Sequence, residues 1–275
     1  MYLEINKWRG KLGNNISQII NIIIIANYNN INILIPQYKY FNKKKILLFN
    51  ETSNKNNIYY DVYDFTNLDN IKIEQKKGSE LQKIKVTKTY DISFIKKNIE
   101  NLFINLNINK YNDKTLIIYI RSGDLFPESD EQKVHKGYIS APYYYYEYIL
   151  NKYKNNYKDF ILVAEDNRNP VIKKLLKNHS YIKWTQNTLD DDLCIILGAY
   201  DIVSCIGTFI QSLSWVSKNM KKVYLPSFVR KKNYYPELEI EKIELYDFKE
   251  KIGPWKNTKE QHNLLLNFVP TKSLS

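Results

Sequence analysis

The sequence predicts an α/β protein in two halves, 1–112 and 113–275, each built around a parallel, doubly wound sheet. Three observations carry this expectation. From Lys114 onward, β-branched runs alternate with helical stretches of about 10–15 residues, the pattern of right-handed βαβ units. The opening segment, 1–36, reads strand, loop, helix, strand. The chain has 275 residues, 44% of them apolar, which is enough for one large domain or two small ones.

Residues 1–6 alternate as a short strand, and 8–15 form a loop containing Gly10 and Gly13. Residues 16–28 have helical length, and 33–36 form a β-branched strand. The apolar run at 45–50 ends in a polar turn, 51–90 is Asn/Lys/Tyr-rich and takes no firm assignment, and 92–106 has helical spacing. The pattern then sharpens. Strands are expected at 115–120, 160–164, 181–184, 202–205 and 222–225. Helices are expected at 142–153, where Pro142 suits a first turn, and at 170–177, 192–200 and 209–219. The tail, 230–275, is polar apart from an apolar cluster at 264–268 that is expected to dock on a neighbouring domain.

Composition narrows the function classes. Eight Gly and eight Pro exclude collagen-like or linker-dominated chains. Two cysteines, Cys194 and Cys205, cannot staple a secreted mini-protein and point to a reducing compartment. The apolar run 16–26 is broken by Ser17, Gln18 and Asn21, whereas a bilayer span needs roughly 20 mostly apolar residues. A cytoplasmic chain with no transmembrane segment is therefore expected. Its balance of 41 basic against 29 acidic residues, +12, attracts polyanions, phosphates or anionic lipid, and leaves peripheral membrane contact open. Heavy use of Ile, Asn, Lys and Tyr fits AT-rich coding DNA, so part of that charge carries no functional meaning.

In open α/β sheets, ligands bind beyond the carboxyl ends of strands. Three clusters stand there. In Gly10-Lys11-Leu12-Gly13-Asn14-Asn15, glycines allow close backbone approach and the following helix aims N–H groups at an anion; an ordinary βα turn with an Asn cap is the plain alternative. In Ile120-Arg121-Ser122-Gly123-Asp124, an arginine directly after a buried strand is costly unless it meets an anion. Asp124 can orient its guanidinium, and Gly123 permits the turn; a purely structural Arg–Asp pair is the alternative. In Cys205-Ile206-Gly207-Thr208-Phe209-Ile210-Gln211-Ser212, a helix opens with polar side chains, either a second phosphate cradle or a plain Thr cap.

Together these pieces resemble the fucosyltransferase superfamily that carries an H-x-R-R-x-D motif, the α1,2-fucosyltransferases most closely. Gly10 to Asn15 is similar to that family's G-x-L-G-N-Q, and Ile118-Tyr119-Ile120-Arg121-Ser122-Gly123-Asp124 to I-H-I-R-R-G-D. Pro142-Tyr143-Tyr144 is similar to its Y-Y helix start, and Ile161 to Asn167 to its F-S-D-D strand end. Asp192-Leu193-Cys194 through Gly207-Thr208-Phe209 is similar to its D-L-x-x-M…S-T-F-S segment. The pieces run in family order over about residues 8–226. Tyr119 stands where the family has His, and Ser122 where it has the second Arg.

The resemblance implies a GT-B glycosyltransferase: two Rossmann-like domains facing a cleft, the first on the acceptor side and the second binding the nucleotide-sugar. It implies inverting transfer of fucose from GDP-fucose to a glycan hydroxyl, with no cofactor and no metal. Donor contacts would come from Gly13, Asn14, Arg121, Asp166, Asp192, Thr208, Phe209 and Gln211. Asp192 or Asp191 would accept from the guanine edge and Asp166 or Asn167 would line the nucleotide, with helix capping the plain alternative for each. Arg121 would neutralise the leaving phosphate. Asp124, Glu128, Asp130 and His135 are candidates for the base at the acceptor hydroxyl. In the α1,6-fucosyltransferases a Glu five residues after the motif aspartate is used, whereas this chain has Ser129 there and Glu128 one residue short. The acidic run Asp190-Asp191-Asp192 could mimic a metal site, but its place at a helix start favours capping. Tyr143 to Tyr146 could stack on sugar rings, although tyrosines at helical spacing are more often core.

Three other readings compete. A transferase for another GDP- or UDP-linked sugar is kept open by Ser122. A nucleic-acid binder is suggested by the charge and opposed by dispersed lysines without an RNA- or DNA-binding motif. A non-catalytic glycan-binding relative is the third.

Overall fold

The computed structural model describes residues 2–5, 8, 10–29, 32–41, 44–46, 60–62, 71–75, 81–84, 91–103, 106–128 and 134–271. Its first elements are β1 (Tyr2–Glu4), α1 (Leu12–Asn29), β2 (Asn32–Ile35), β3 (Lys44–Ile46), β4 (Tyr60–Val62), β5 (Ile71–Gln75), β6 (Leu81–Ile84) and α2 (Ile92–Leu102). Then follow β7 (Thr115–Tyr119), α3 (Tyr143–Tyr153), β8 (Asp159–Val163), α4 (Pro170–Asn178), β9 (Ile182–Lys183), α5 (Leu189–Gly198) and β10 (Asp201–Val203). The last are α6 (Thr208–Val216), β11 (Lys222–Pro226), β12 (Glu239–Ile243), α7 (Phe248–Ile252) and α8 (Lys259–Asn267). Two compact units result. The first holds 1–105, 208–216 and 232–236; the second holds 106–207, 217–231 and 237–275. A boundary drawn along the chain at 112/113 gives α6 to the second half, whereas its contacts belong to the first unit.

In the second unit all six strands are parallel, in the order β12-β11-β10-β7-β8-β9. Renumbered within the unit and read from β9, this is 3-2-1-4-5-6, the order of doubly wound nucleotide-binding sheets. The sequence explains why β7 is central: Leu116, Ile117 and Ile118 are all buried, the continuous apolar run of a strand covered on both faces. The helices keep strict boundaries. Asn169 caps α4 by accepting from the Val171 N–H, with Pro170 in the first turn, where a missing N–H costs nothing.

Several expectations need correction. The tail does not dock on a neighbouring domain: β12 extends the parallel sheet, and α8 packs on α3 and α4 within its own unit. Trp255 and Leu265 are fully buried there. Their spacing is too sparse for a periodicity argument, which is why the tail looks polar. Helix α5 begins at Leu189 and not at 192, because Thr188 and Asp191 form a reciprocal capping box one turn earlier. Helix α1 begins at Leu12, so Gly13, Asn14 and Asn15 lie in its first turn and not in a loop; Leu12 is buried and extends the apolar stripe of Ile16, Ile19 and Ile23. Helix α2 ends at Leu102, short of 106, and α6 spans 208–216 and not 209–219.

The first unit does not repeat the doubly wound pattern among its described residues. Strands β1 and β2 are parallel and joined by α1, but β3 adds antiparallel to β2. Strands β4, β5 and β6 form a separate antiparallel meander. Helices α1, α2 and α6 pack together, with α1 buried along nearly its whole length from Leu12 to Ala26. No described helix is long and apolar enough to cross a membrane.

Candidate functional site

The second unit's switch point lies between β7 and β10, where the strand order reverses. There, Ile120 to Gly123 leave β7 and Ser204 to Gly207 leave β10, linked by the Arg121 N–H donating to Cys205 Sγ at 3.3 Å. Burial pushes the Cys205 thiol up to about 12, so it sits there as a neutral, weak acceptor.

Arg121 is held on three sides. Its Nη2 donates to both oxygens of Asp124, each at 3.2 Å. Its guanidinium carbon lies 4.3 Å from the centre of the Tyr138 ring. On the third side Gly207, at φ +115°, leaves the space that a Cβ would take: such an atom would come within 2.6 Å of Nη1. Burial opposes the charge, but Asp124 together with the surrounding Tyr119, Cys205 and Tyr138 outweighs it, and the guanidinium's pKa is raised. The result is a fixed cation, its side chain 18% exposed.

Gly123 adopts φ +52°, and a Cβ there would overlap the Glu165 carboxylate. This is the tight turn expected after Arg121, with the added reason that it brings β7 against the end of β8. Ser122, fully buried, clasps the two strand ends. Its hydroxyl donates to Asp166 and accepts from the Asn169 N–H at 3.0 Å. The Asn169 amide in turn donates to the Arg121 carbonyl and to Ser140 Oγ, each at 3.0 Å. A second arginine at position 122 would find no room in this clasp.

The two aspartates assigned to the nucleotide differ. Burial raises Asp166, but hydrogen bonds from Arg168 and Ser122 outweigh it and hold the carboxyl at about 2. Asp192 is buried at 7% exposure, and burial raises it to about 6, with only an Asn187 amide at 3.3 Å opposing. Asp191 is spent on the α5 cap, accepting from Thr188 Oγ1 at 2.7 Å. Of that acidic run, Asp191 therefore serves the helix cap, and the buried Asp192 does not. Asn167 is exposed. Among the described residues, no three His, Cys, Asp or Glu side chains converge as metal ligands.

In the first unit, α1 and α6 bring their N-termini together. A Cβ on Gly13 would lie 2.9 Å from the Phe209 backbone, so a glycine is what lets the helices touch. Thr208 Oγ1 donates to Asn14 Oδ1 at 2.7 Å, and Ser212 Oγ donates to the Gly13 carbonyl at 2.7 Å. The Asn14 N–H is itself engaged by the Lys11 carbonyl at 2.9 Å. Gln211 is buried, and Phe209 is half-buried.

The candidate bases fare differently. Asp124 is anchored by Arg121 and its side chain is 46% exposed. Glu128 is 85% exposed, 3.9 Å from Arg168. His135 accepts from the Gly137 N–H at Nδ1, 3.2 Å, so its neutral ring carries the proton on Nε2. Its ring lies 4.3 Å from the Tyr138 ring, tilted by 35°, so Tyr138 contacts both His135 and Arg121. Asp130 and Ser129 lie outside the described residues. The tyrosines Tyr145 and Tyr146 are core, not sugar platforms: Tyr145 is fully buried and its hydroxyl bridges the carbonyls of Ser204 and Tyr224 at 2.9 and 2.8 Å.

Sequence reasoning missed Tyr138, Asn169 and Glu165. The first sits seventeen residues beyond the arginine, with no pattern linking them; Asn169, just before Pro170, carried a readable cap signal but no hint of its hold on Arg121. No family model matches the chain, and no curated protein or solved structure shows significant similarity to it.

Proposed function

We propose that the protein is an inverting, metal-independent glycosyltransferase that moves a deoxyhexose, fucose from GDP-fucose, to a glycan hydroxyl. The observation that supports this most is Arg121, an immobilised cation at the switch point of a 3-2-1-4-5-6 parallel sheet. Departure of the glycosyl group leaves negative charge on the β-phosphate. A guanidinium held beforehand by Asp124 and Tyr138, in space that the missing Gly207 side chain leaves open, stabilises that charge without reorganising as the bond breaks.

In this reading Gly13, Asn14, Thr208, Phe209 and Gln211 supply the helix starts that face the phosphates. Asp166 lines the nucleotide, and Asp192 accepts from guanine N1 and N2. Asp124 is the favoured base at the acceptor hydroxyl, being both anchored and half exposed. His135 presents an N–H there and Glu128 is loosely held.

A thermal-shift panel tests the proposal. GDP at 100 times its Kd should stabilise the protein by about 2.7 kcal/mol, with UDP far weaker. Arg121→Ala should cut transfer by about 10²–10³-fold or more while the unliganded Tm stays close to the parent's. An equal or larger shift with UDP would redirect the reading to another nucleotide-sugar. No shift with either, alongside steeply salt-dependent binding of random oligonucleotides, would replace it with the nucleic-acid reading.

A further inference from the structure

At the opposite end of the sheet from Arg121, where β9 begins, a chain of polar side chains runs through α3, the end of α4 and the first residue before β9. Asn178 Nδ2 donates to Tyr143 Oη at 2.9 Å, and Tyr143 Oη donates to Glu147 Oε2 at 2.5 Å. His179 Nε2 meets the same Oε2 at 2.5 Å, and His179 Nδ1 meets Tyr181 Oη at 3.0 Å. The direction of each bond can be deduced. Burial raises the Glu147 carboxyl, but hydrogen bonds from Tyr143 and His179 outweigh it, so its pKa falls and it only accepts. Burial and the Glu147 bond push the Tyr143 phenol to about 12, so it stays a donor. His179 therefore carries its proton on Nε2 in the neutral ring, and Nδ1 is left to accept from the Tyr181 hydroxyl.

This is the arrangement of an activated nucleophile: a hydroxyl on an imidazole base, and the imidazole oriented by a carboxylate. The imidazole is buried, 8% exposed, while Tyr181 is 44% exposed. A tyrosine that is nearly half exposed is thus coupled to a base shielded from solvent. The core chemistry of the α/β fold does not require this: a buried histidine could have been satisfied by its glutamate alone.

We propose that Tyr181 is a covalent modification site that takes an acyl group from an uncharged activated acyl donor. The phenol oxygen attacks the acyl carbonyl carbon, and its proton passes to His179 Nδ1. The imidazolium so formed is stabilised by Glu147 at Nε2–H. The bond from carbon to the leaving group then breaks, the leaving group keeps the electron pair, and His179 returns the proton to it. Burial first, and the nearby Glu147 carboxylate second, hold the Tyr181 phenol above its ordinary pKa, so its reactivity depends on passing the proton to His179 during attack. The same carboxylate would repel a dianion, which favours an acyl over a phosphoryl donor.

The test is labelling of the full-length protein with N-acetylimidazole, read by peptide mass spectrometry before and after hydroxylamine. Tyr246, 40% exposed, is the internal reference of matched accessibility. Tyr181 should acetylate at least about tenfold faster than Tyr246, within the range general-base assistance supplies. His179→Gln should remove that excess and Glu147→Gln should reduce it, with Tyr246 labelling and the Tm reporting that the fold is intact. Equal rates at the two tyrosines in the parent protein would overturn the proposal, as would an excess that survives His179→Gln. A variant that fails to fold is replaced by His179→Asn, read the same way.

Discussion

The helix starts of the first unit and the strand ends of the second carry the two groups of residues assigned to the donor, and they are held by different physics. Around Gly13, the contacts are neutral and short: hydroxyls of Thr208 and Ser212 on Asn14 and the Gly13 carbonyl, and two helix backbones in direct contact. Around Arg121, the contacts are ionic and cation–π: Asp124 on Nη2, the guanidinium over the Tyr138 ring, and Asp166 tied to Ser122 and Arg168. Each region depends on a glycine for a close approach. At Gly13 the glycine admits backbone, and at Gly207 it admits a charged side chain. The first arrangement serves packing; the second fixes a charge.

Four substitutions or titrations sharpen this contrast. The largest effect is expected at Gly207→Ala, where a Cβ would displace the guanidinium and the backbone sits at φ +115°. Misplacing the cation by about 1 Å should lower kcat/KM on the order of 10²-fold, measured in a donor-transfer assay. An activity loss no greater than the stability loss explains would put the two glycines in one class. Gly13→Ala should act the other way round. Overpacking against the Phe209 backbone costs about 1–3 kcal/mol, against a helix-propensity gain of up to about 1 kcal/mol, so urea unfolding should show a net loss.

Ser122→Ala is next. It strands the Asn169 N–H and removes one donor from Asp166, a loss of about 1–3 kcal/mol in chemical denaturation. Because Asn169 also holds the Arg121 carbonyl, the same variant should weaken GDP binding. The smallest effect is one of pH. Asp192 titrates near 6 and Asp166 near 2, so only Asp192 changes charge between pH 7 and 5. As pH falls through about 6, Asp192 gains a proton, one of its oxygens becomes a donor, and under the proposed function it can no longer accept from guanine N1 and N2 at once. GDP affinity should drop by up to about tenfold, or about 1.4 kcal/mol, and Asp192→Asn should flatten the profile. Its effect on stability has a definite sign. A carboxyl whose pKa is raised by folding favours the folded state below about 4, and that contribution is lost as pH rises through about 6.

Legibility in the sequence followed the range of the interaction concerned. The strands from 115 to 226 and the helices between them could be read because their apolar periodicity is local, and the structure keeps nearly all of them. Arg121, Gly123 and Asp124 could be read as a unit because the ion pair spans three residues. The strand at Glu239–Ile243 could not: its burial alternates weakly at a sheet edge, and it pairs with β11 only once the sheet exists. Nor could Tyr138 or the clasp of Ser122 with Asn169, whose partners are 17 and 47 residues away.

Local chemistry thus settles which segments are helices, which strand is buried and which arginine follows it, since propensity and burial act within a few residues, although α1 and α5 begin earlier than that pattern places them. Strand order, the membership of α6 in the first unit, and the separate fates of Asp191 and Asp192 depend on folding. The capping box commits Asp191 at the helix start, while the fold buries Asp192 beside it and raises its carboxyl. No arrangement of letters along the chain encodes that difference, because desolvation is a property of what the folded protein places around a group.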